Sequence, residues 1–129
     1  MQAEMAVTLE APFPEALKRV RDALAGEGFG VLTEIDVRAT MREKLGEEME
    51  DYVILGACNP PLAHRALEVD RSIGLLLPCN VVVRTTREGV LVEAMDPALL
   101  VQVTGRPELA PVAREAVERL ARALAASKD

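Results

Sequence analysis

The chain has 129 residues, half of them apolar, with 15 Lys and Arg against 21 Asp and Glu for a formal net charge of −6. That length fits one domain over residues 1–129, with enough apolar material to bury a core without disulfide or metal staples. The acidic balance with no basic run leaves no footprint for nucleic acid, and Phe13, Phe29 and Tyr52 alone give almost no material for base stacking or aromatic cages.

Met5 to Leu9 is a short strand candidate ended by Pro12 and Pro14, and Pro14 suits the first turn of a helix, where its missing N–H costs nothing. That helix runs to about Ala25. Ala16, Leu17, Val20, Ala23 and Leu24 share one face, Glu15, Lys18, Arg19, Arg21 and Asp22 take the other, and Gly26 and Gly28 supply the stop. Phe29 to Val37 reads as a strand with Phe29, Val31, Thr33, Ile35 and Val37 on one side and Leu32, Glu34 and Asp36 on the other. Thr40-Met41-Arg42-Glu43 has capping-box spacing, so a short helix is expected there, stopping at Gly46. Tyr52 to Cys58 is apolar at every second position on both faces, the mark of a central strand covered on each side. Asn59 is a helix cap with prolines behind it, which predicts a helix over Pro61 to Glu68.

Ile73 to Thr86 reads as one long extended run in which Pro78 forces an edge, a bulge or a break. It is too interrupted, by Pro78 and Asn80, to cross a bilayer, and no other apolar stretch is long enough. Arg87-Glu88-Gly89 is a hairpin turn and Val90 to Met95 pairs back; Asp96-Pro97 starts a further helical turn. Pro107 opens the last helix, with Leu109, Val112, Ala113, Ala116, Val117, Leu120 and Leu124 as its apolar stripe. The expectation is an α+β fold of order β-α-β-β-β-β-α, with a mainly antiparallel sheet, two long helices on one face and short inserted helices.

The only two cysteines each precede one of the only two asparagines, in Gly56-Ala57-Cys58-Asn59-Pro60 and Leu77-Pro78-Cys79-Asn80-Val81. Cys58 and Cys79 are therefore the candidate catalytic residues. Cys58 precedes a predicted helix N-terminus, where backbone N–H groups and the helix dipole lower a thiol pKa. The structural alternative makes Cys58 a small buried hydrophobe and Asn59 only a cap. A metal site from Cys58, Cys79 and the lone His64 lacks the paired spacing that such sites show, so no metal is assigned and no cofactor is expected. Met1 to Glu4 carry no basic segment leading into an apolar one, which sets the expectation of a cytoplasmic protein with reduced thiols.

Glu34 and Asp36, on one face of a strand, could bind a cation or act as an acid–base pair, and equally could be a solvated polar face. Arg84 and Glu93 are expected on that same outer face, as a ligand site or a cross-strand ion ladder. No Ser–His–Asp set, Walker loop or dinucleotide fingerprint is present, since Gly26, Gly28 and Gly30 follow a helix and precede a strand.

Gly28-Phe29-Gly30-Val31-Leu32, Glu34-Ile35-Asp36-Val37, Lys44-Leu45-Gly46 and the two Cys-Asn motifs resemble the bacterial and archaeal family known as domain of unknown function 302, over nearly the whole chain. The resemblance implies a fold similar to the TATA-binding-protein-like class and a homodimer, and it supplies no activity. A DNA-binding role does not follow from the fold, and the charge opposes it. Three functions stay open. The first is a dimeric small-molecule-binding module using Glu34, Asp36, Asn59, Asn80 and Arg84. The second is a thiol- or metal-dependent enzyme using Cys58 or Cys79. The third is a structural or interaction domain whose doubly apolar strands are buried against a partner copy.

Overall fold

Pro14 sits in the first turn of α1 (Phe13–Gly26), where the N–H of Ala16 reaches back to the carbonyl of Pro12 at 2.9 Å. The stripe Ala16, Val20 and Leu24 is buried, with Leu17 and Ala23 packed beside it. Gly28 then turns the chain with φ +84°, and its Cβ-less face lets the Asn59 amide approach to where a side chain would meet it at 3.0 Å. These elements belong to a computed structural model that describes residues 5–128.

The strands are β1 (Ala6–Leu9), β2 (Gly30–Asp36), β3 (Tyr52–Cys58), β4 (Cys79–Thr86) and β5 (Gly89–Ala94). They form one sheet in the order β1-β5-β4-β3-β2, and every pairing is antiparallel. The order of elements is that expected from the sequence, with α2 (Val37–Leu45), α3 (Pro60–Val69), a 3-10 helix (Arg71–Leu76) and α4 (Leu99–Thr104) inserted before the last helix, α5 (Ala110–Ser127). α1 and α5 pack together over one face of the sheet.

Two separate buried clusters hold the fold. The larger lies between the sheet and α1/α5, where Val53, Leu55, Ala57, Val81, Val83, Val90 and Val92 meet Val20, Leu24 and Leu120. The smaller gathers Leu62 and Ala66 of α3, Ile73, Leu100 of α4, Leu109 of the 3-10 turn (Pro107–Leu109) that Pro107 opens in place of the last helix, and Val112 and Ala116 at the start of α5. Helix α5 belongs to both, and its stripe from Val112 to Leu124 is the expected one.

Several local readings change. β2 carries a bulge: Val31 pairs with Ala57 and Thr33 with Gly56, leaving Leu32 as the extra residue. A bulge reverses side-chain alternation beyond it. Thr33 and Ile35 therefore join the sheet face away from the helices, whereas Glu34 and Asp36, opposite Leu55 and Val53, turn to the helix side. Val37 is no longer in the strand, because α2 starts there, three residues before the expected Thr40. Its cap is Asp36, whose Oδ1 accepts from the Ala39 N–H at 2.9 Å, and Gly46 with φ +67° ends it as expected. The expected extended run from Ile73 is instead a 3-10 helix as far as Leu76. Asp70 starts it by accepting from the Ser72 N–H at 2.9 Å, and the cis Leu77–Pro78 bond separates it from β4.

β3 is an inner strand, but the described residues lay helices over one face of it only. On the other face Ile54, Val82 and Leu91 are half-buried, Ile35 is 48% exposed, and Arg84 lies against Glu93 at 3.2 Å. Gly56 is the floor of that face. A Cβ there would strike Thr33 Oγ1 and come within 2.8 Å of Pro78 Cγ. Gly56→Ala is expected to cost about 1–3 kcal/mol, the range for overpacking a site with no room. Urea unfolding checks this, and an unchanged midpoint would show that Thr33 and Pro78 yield freely.

Candidate pocket at the Cys-Asn motifs

The ends of β3 and β4 lie side by side, with Gly56 opposite Asn80 and Ala57 opposite Cys79. The two Cys-Asn motifs, distant in sequence, are therefore neighbours in space. Between them and the helices lies a cavity of about 40 Å3 touched by Cys58, Asn59, Pro78 and Cys79. Its walls come from both buried clusters: Phe29 and Ala57 from the larger, and Leu62, Ala66, Leu100, Val112 and Ala116 from the smaller. The cavity is the seam where the two cores meet. Apart from Phe29 and Ala57 these wall residues carried no signal in the sequence, being ordinary members of helices; only the topology collects them.

Asn59 has two jobs. Its Oδ1 accepts from the Leu62 N–H at 3.3 Å, which caps α3, and its Nδ2 donates to the Glu27 carbonyl at 3.4 Å, which ties α3 to the end of α1. The same carbonyl accepts from Arg119 of α5 at 3.3 Å, and the Glu27 carboxylate meets Arg122 at 3.0 Å. Glu115 of α5 then joins Arg119 and Arg65 of α3, each at 3.2 Å. This chain of ion pairs fastens α3 to α5 beside the cavity. Both arginines hold the Glu115 carboxyl below its usual range, chiefly by hydrogen bonding. Asn59→Ala is expected to destabilise by about 1 kcal/mol, as cap losses do. Asn59→Asp keeps the cap acceptor and should cost less. Thermal melts of the two variants check the order, and equal losses would place the whole effect on the Glu27 contact.

The two thiols sit in different surroundings. Cys79 is buried, and burial together with the neighbouring Cys58 charge pushes its thiol from about 9 up to about 11. Cys58 does precede a helix, as expected, but Pro60 and Pro61 occupy the first two helical positions and have no N–H, and Asn59 takes the N–H of Leu62. The first turn therefore has no free donor for a thiolate, which removes the hydrogen-bonding half of the activated-thiol expectation and leaves the helix dipole alone. Strand alternation also sends Cys79 to the helix side with Ala57 and Cys58 to the opposite side, so the two are poorly placed to form a disulfide.

His64 is exposed on α3 beside Glu68, at 3.2 Å, and does not join the cysteines. Among the described residues no three His, Cys, Asp or Glu side chains converge as metal ligands would. No helix among them is long and apolar enough to cross a membrane.

Of the sequence-selected ligand candidates, only Asn59 reaches the cavity. Asn80 is exposed on the open sheet face. Arg84 pairs with Glu93 on that same face, the ladder reading of the two. Glu34 is on the opposite side, bound to Arg21 of α1, and Asp36 caps α2 beside a polar hollow that it shares with Arg38, Arg42 and Asp51. The expected row joining Glu34 and Asp36 to Arg84 and Glu93 is thus undone by the bulge at Leu32.

Residues 5–127 match the family model described as Domain of unknown function DUF302. No curated protein matches the chain. The fold is similar to the crystal structure of an uncharacterized conserved protein, DUF302, from Bacillus stearothermophilus, at 31% identity over 94% of each chain and a TM-score of 0.87.

The Cys79 shift makes a pH prediction. A thiol whose pKa is higher folded than unfolded keeps its proton in the native state while the unfolded chain gives it up. Stability is then complete below about pH 9 and falls as pH rises towards about 11. At about 1.4 kcal/mol per pH unit the loss reaches as much as about 3 kcal/mol. Cys79→Ala should flatten this alkaline limb in denaturant titrations; an unchanged limb would show that other groups cause it.

Proposed function

The chain belongs to the DUF302 family, and from that premise we propose that it is a small-molecule-binding module acting as a homodimer. One observation carries the ligand reading: both Cys-Asn motifs converge on an apolar cavity between two cores, walled by Phe29, Leu62 and Leu100. A cavity lined by apolar side chains with few polar groups is the common form of a small-molecule site. Cys79 serves it as a compact wall residue kept in its protonated, uncharged form by burial. Asn59 holds α3, and with it Leu62 and Ala66, in place along one wall.

The dimer reading rests on the other side of the sheet. Ile35, Ile54, Val82 and Leu91 form an apolar face around the Arg84–Glu93 pair. A two-fold contact needs a patch complementary to itself, and one cation beside one anion in an apolar field meets that need. A second copy would supply the cover that the apolar character of β3 calls for. Both cysteines are free, which suits the reducing, cytoplasmic setting proposed for the protein.

Two measurements test this. Sedimentation should give a dimer at micromolar concentration, and Val82→Glu, which puts a charge on the open face, should give a folded monomer; a monomeric parent protein would sink the dimer. Solvent extraction of the natively purified protein, read by mass spectrometry, should release a small apolar compound that Ala66→Leu, which fills the cavity, no longer retains. Equal recovery from both proteins would place the ligand elsewhere.

A further inference from the structure

The class of molecule that fits the seam cavity follows from its size and its walls. Pockets for drug-sized ligands run to roughly 300–1,000 Å3, whereas this one holds about 40 Å3. A water occupies roughly 10–15 Å3 on that scale, so the space holds only a few atoms. Its one strongly polar side chain, Asn59, already has its oxygen on the Leu62 N–H and its nitrogen on the Glu27 carbonyl. Burial keeps Cys79 protonated. A water here would lack the two to four polar partners it needs, and a charged or hydrogen-bonding headgroup would be left unpaired.

The surroundings show where the rest of such a ligand would lie. The α3–α5 side is fastened by Arg65, Glu115 and Arg119. On the other side α4 gives Leu100 to the wall, and the 3-10 helix packs against α4 with Ile73 in the smaller core. Their outer faces are unusually apolar: Leu75 is 88% exposed, Val103 64% and Leu99 38%. An apolar track beside an apolar cavity that polar groups cannot enter is the shape of a chain-binding site.

We propose that the seam cavity receives the end of an unbranched aliphatic chain, the remainder of which lies along Leu75, Leu99 and Val103. This rests on the reading of the cavity as the ligand site and names the class of ligand that it takes.

The experiment uses the whole protein and the n-alcohols from butanol to octanol, with tert-butanol as the branched control. Binding is followed through the methyl NMR signals of Leu62, Ala66 and Ala116. The n-alcohols should shift these signals saturably, with affinity rising roughly fourfold per added methylene, the factor set by about 0.8 kcal/mol per buried CH2. The track variant Val103→Asp lies on the surface, where it should keep the melting temperature, and should remove the gain for the longest alcohols. Tert-butanol should leave the wall methyls unmoved. Equal binding of tert-butanol, an affinity indifferent to chain length, or a full-length gain retained in Val103→Asp would overturn the proposal. If a polar compound shifts the wall methyls while the alcohols do not, the chain inference fails and the binding-module reading stands. If no compound shifts them, both fail.

Discussion

The register of β3 on β4 governs the rest of the molecule. Setting Ala57 against Cys79 and Leu55 against Val81 sends Val53, Leu55, Ala57, Val81 and Val83 to the helices together. A slip of one residue would turn one strand's share of that set to the other face and expose it. The same register puts Gly56 opposite Asn80 and brings the two Cys-Asn motifs to one end of the sheet. The need to bury the larger core thus fixes where the candidate site lies, before any ligand is considered.

The position of the cavity also has a physical origin. The sheet's helix side is closed by α1 and α5 as far as Phe29 and Ala57. Beyond that point the chain builds a second, smaller core from short elements around the start of α5. Short helices cannot supply a continuous stripe, and several wall residues at the junction are small: Ala57, Ala63, Ala66 and Ala116. Two cores that each pack well by themselves leave a gap where they meet. Asn59 and the ion pairs from Arg65 to Arg122 hold the surrounding helices at that spacing.

Much of this was legible in the sequence because the relevant signals are local. Pro14, Asn59, Gly46 and the period of the last helix act within a turn or two of where they stand, and the elements they announce are present. The bulge at Leu32 was not legible. Val31-Leu32-Thr33-Glu34-Ile35-Asp36 alternates plausibly with or without an extra residue, and only the pairing with β3 decides. That single residue moved Glu34 and Asp36 away from Arg84 and dissolved the expected charged row. The 3-10 helix was missed for a similar reason: Ile73 to Leu77 is apolar enough for a strand, and the Asp70 cap that turns it is a weak signal. The absence of free donors after Cys58 was readable all along, since Pro60 and Pro61 are visible in the chain and proline has no N–H.

The central claim is that the seam between the two cores is a built site for an apolar ligand and not a leftover of packing. A crystal structure of the natively purified protein, grown without added small molecules, tests it most directly. The account predicts narrow, continuous density between Phe29, Ala66 and Leu100, without hydrogen-bonding contacts to the wall. A seam closed by repacked side chains, or one filled by ordered water bonded to Asn59, would contradict it.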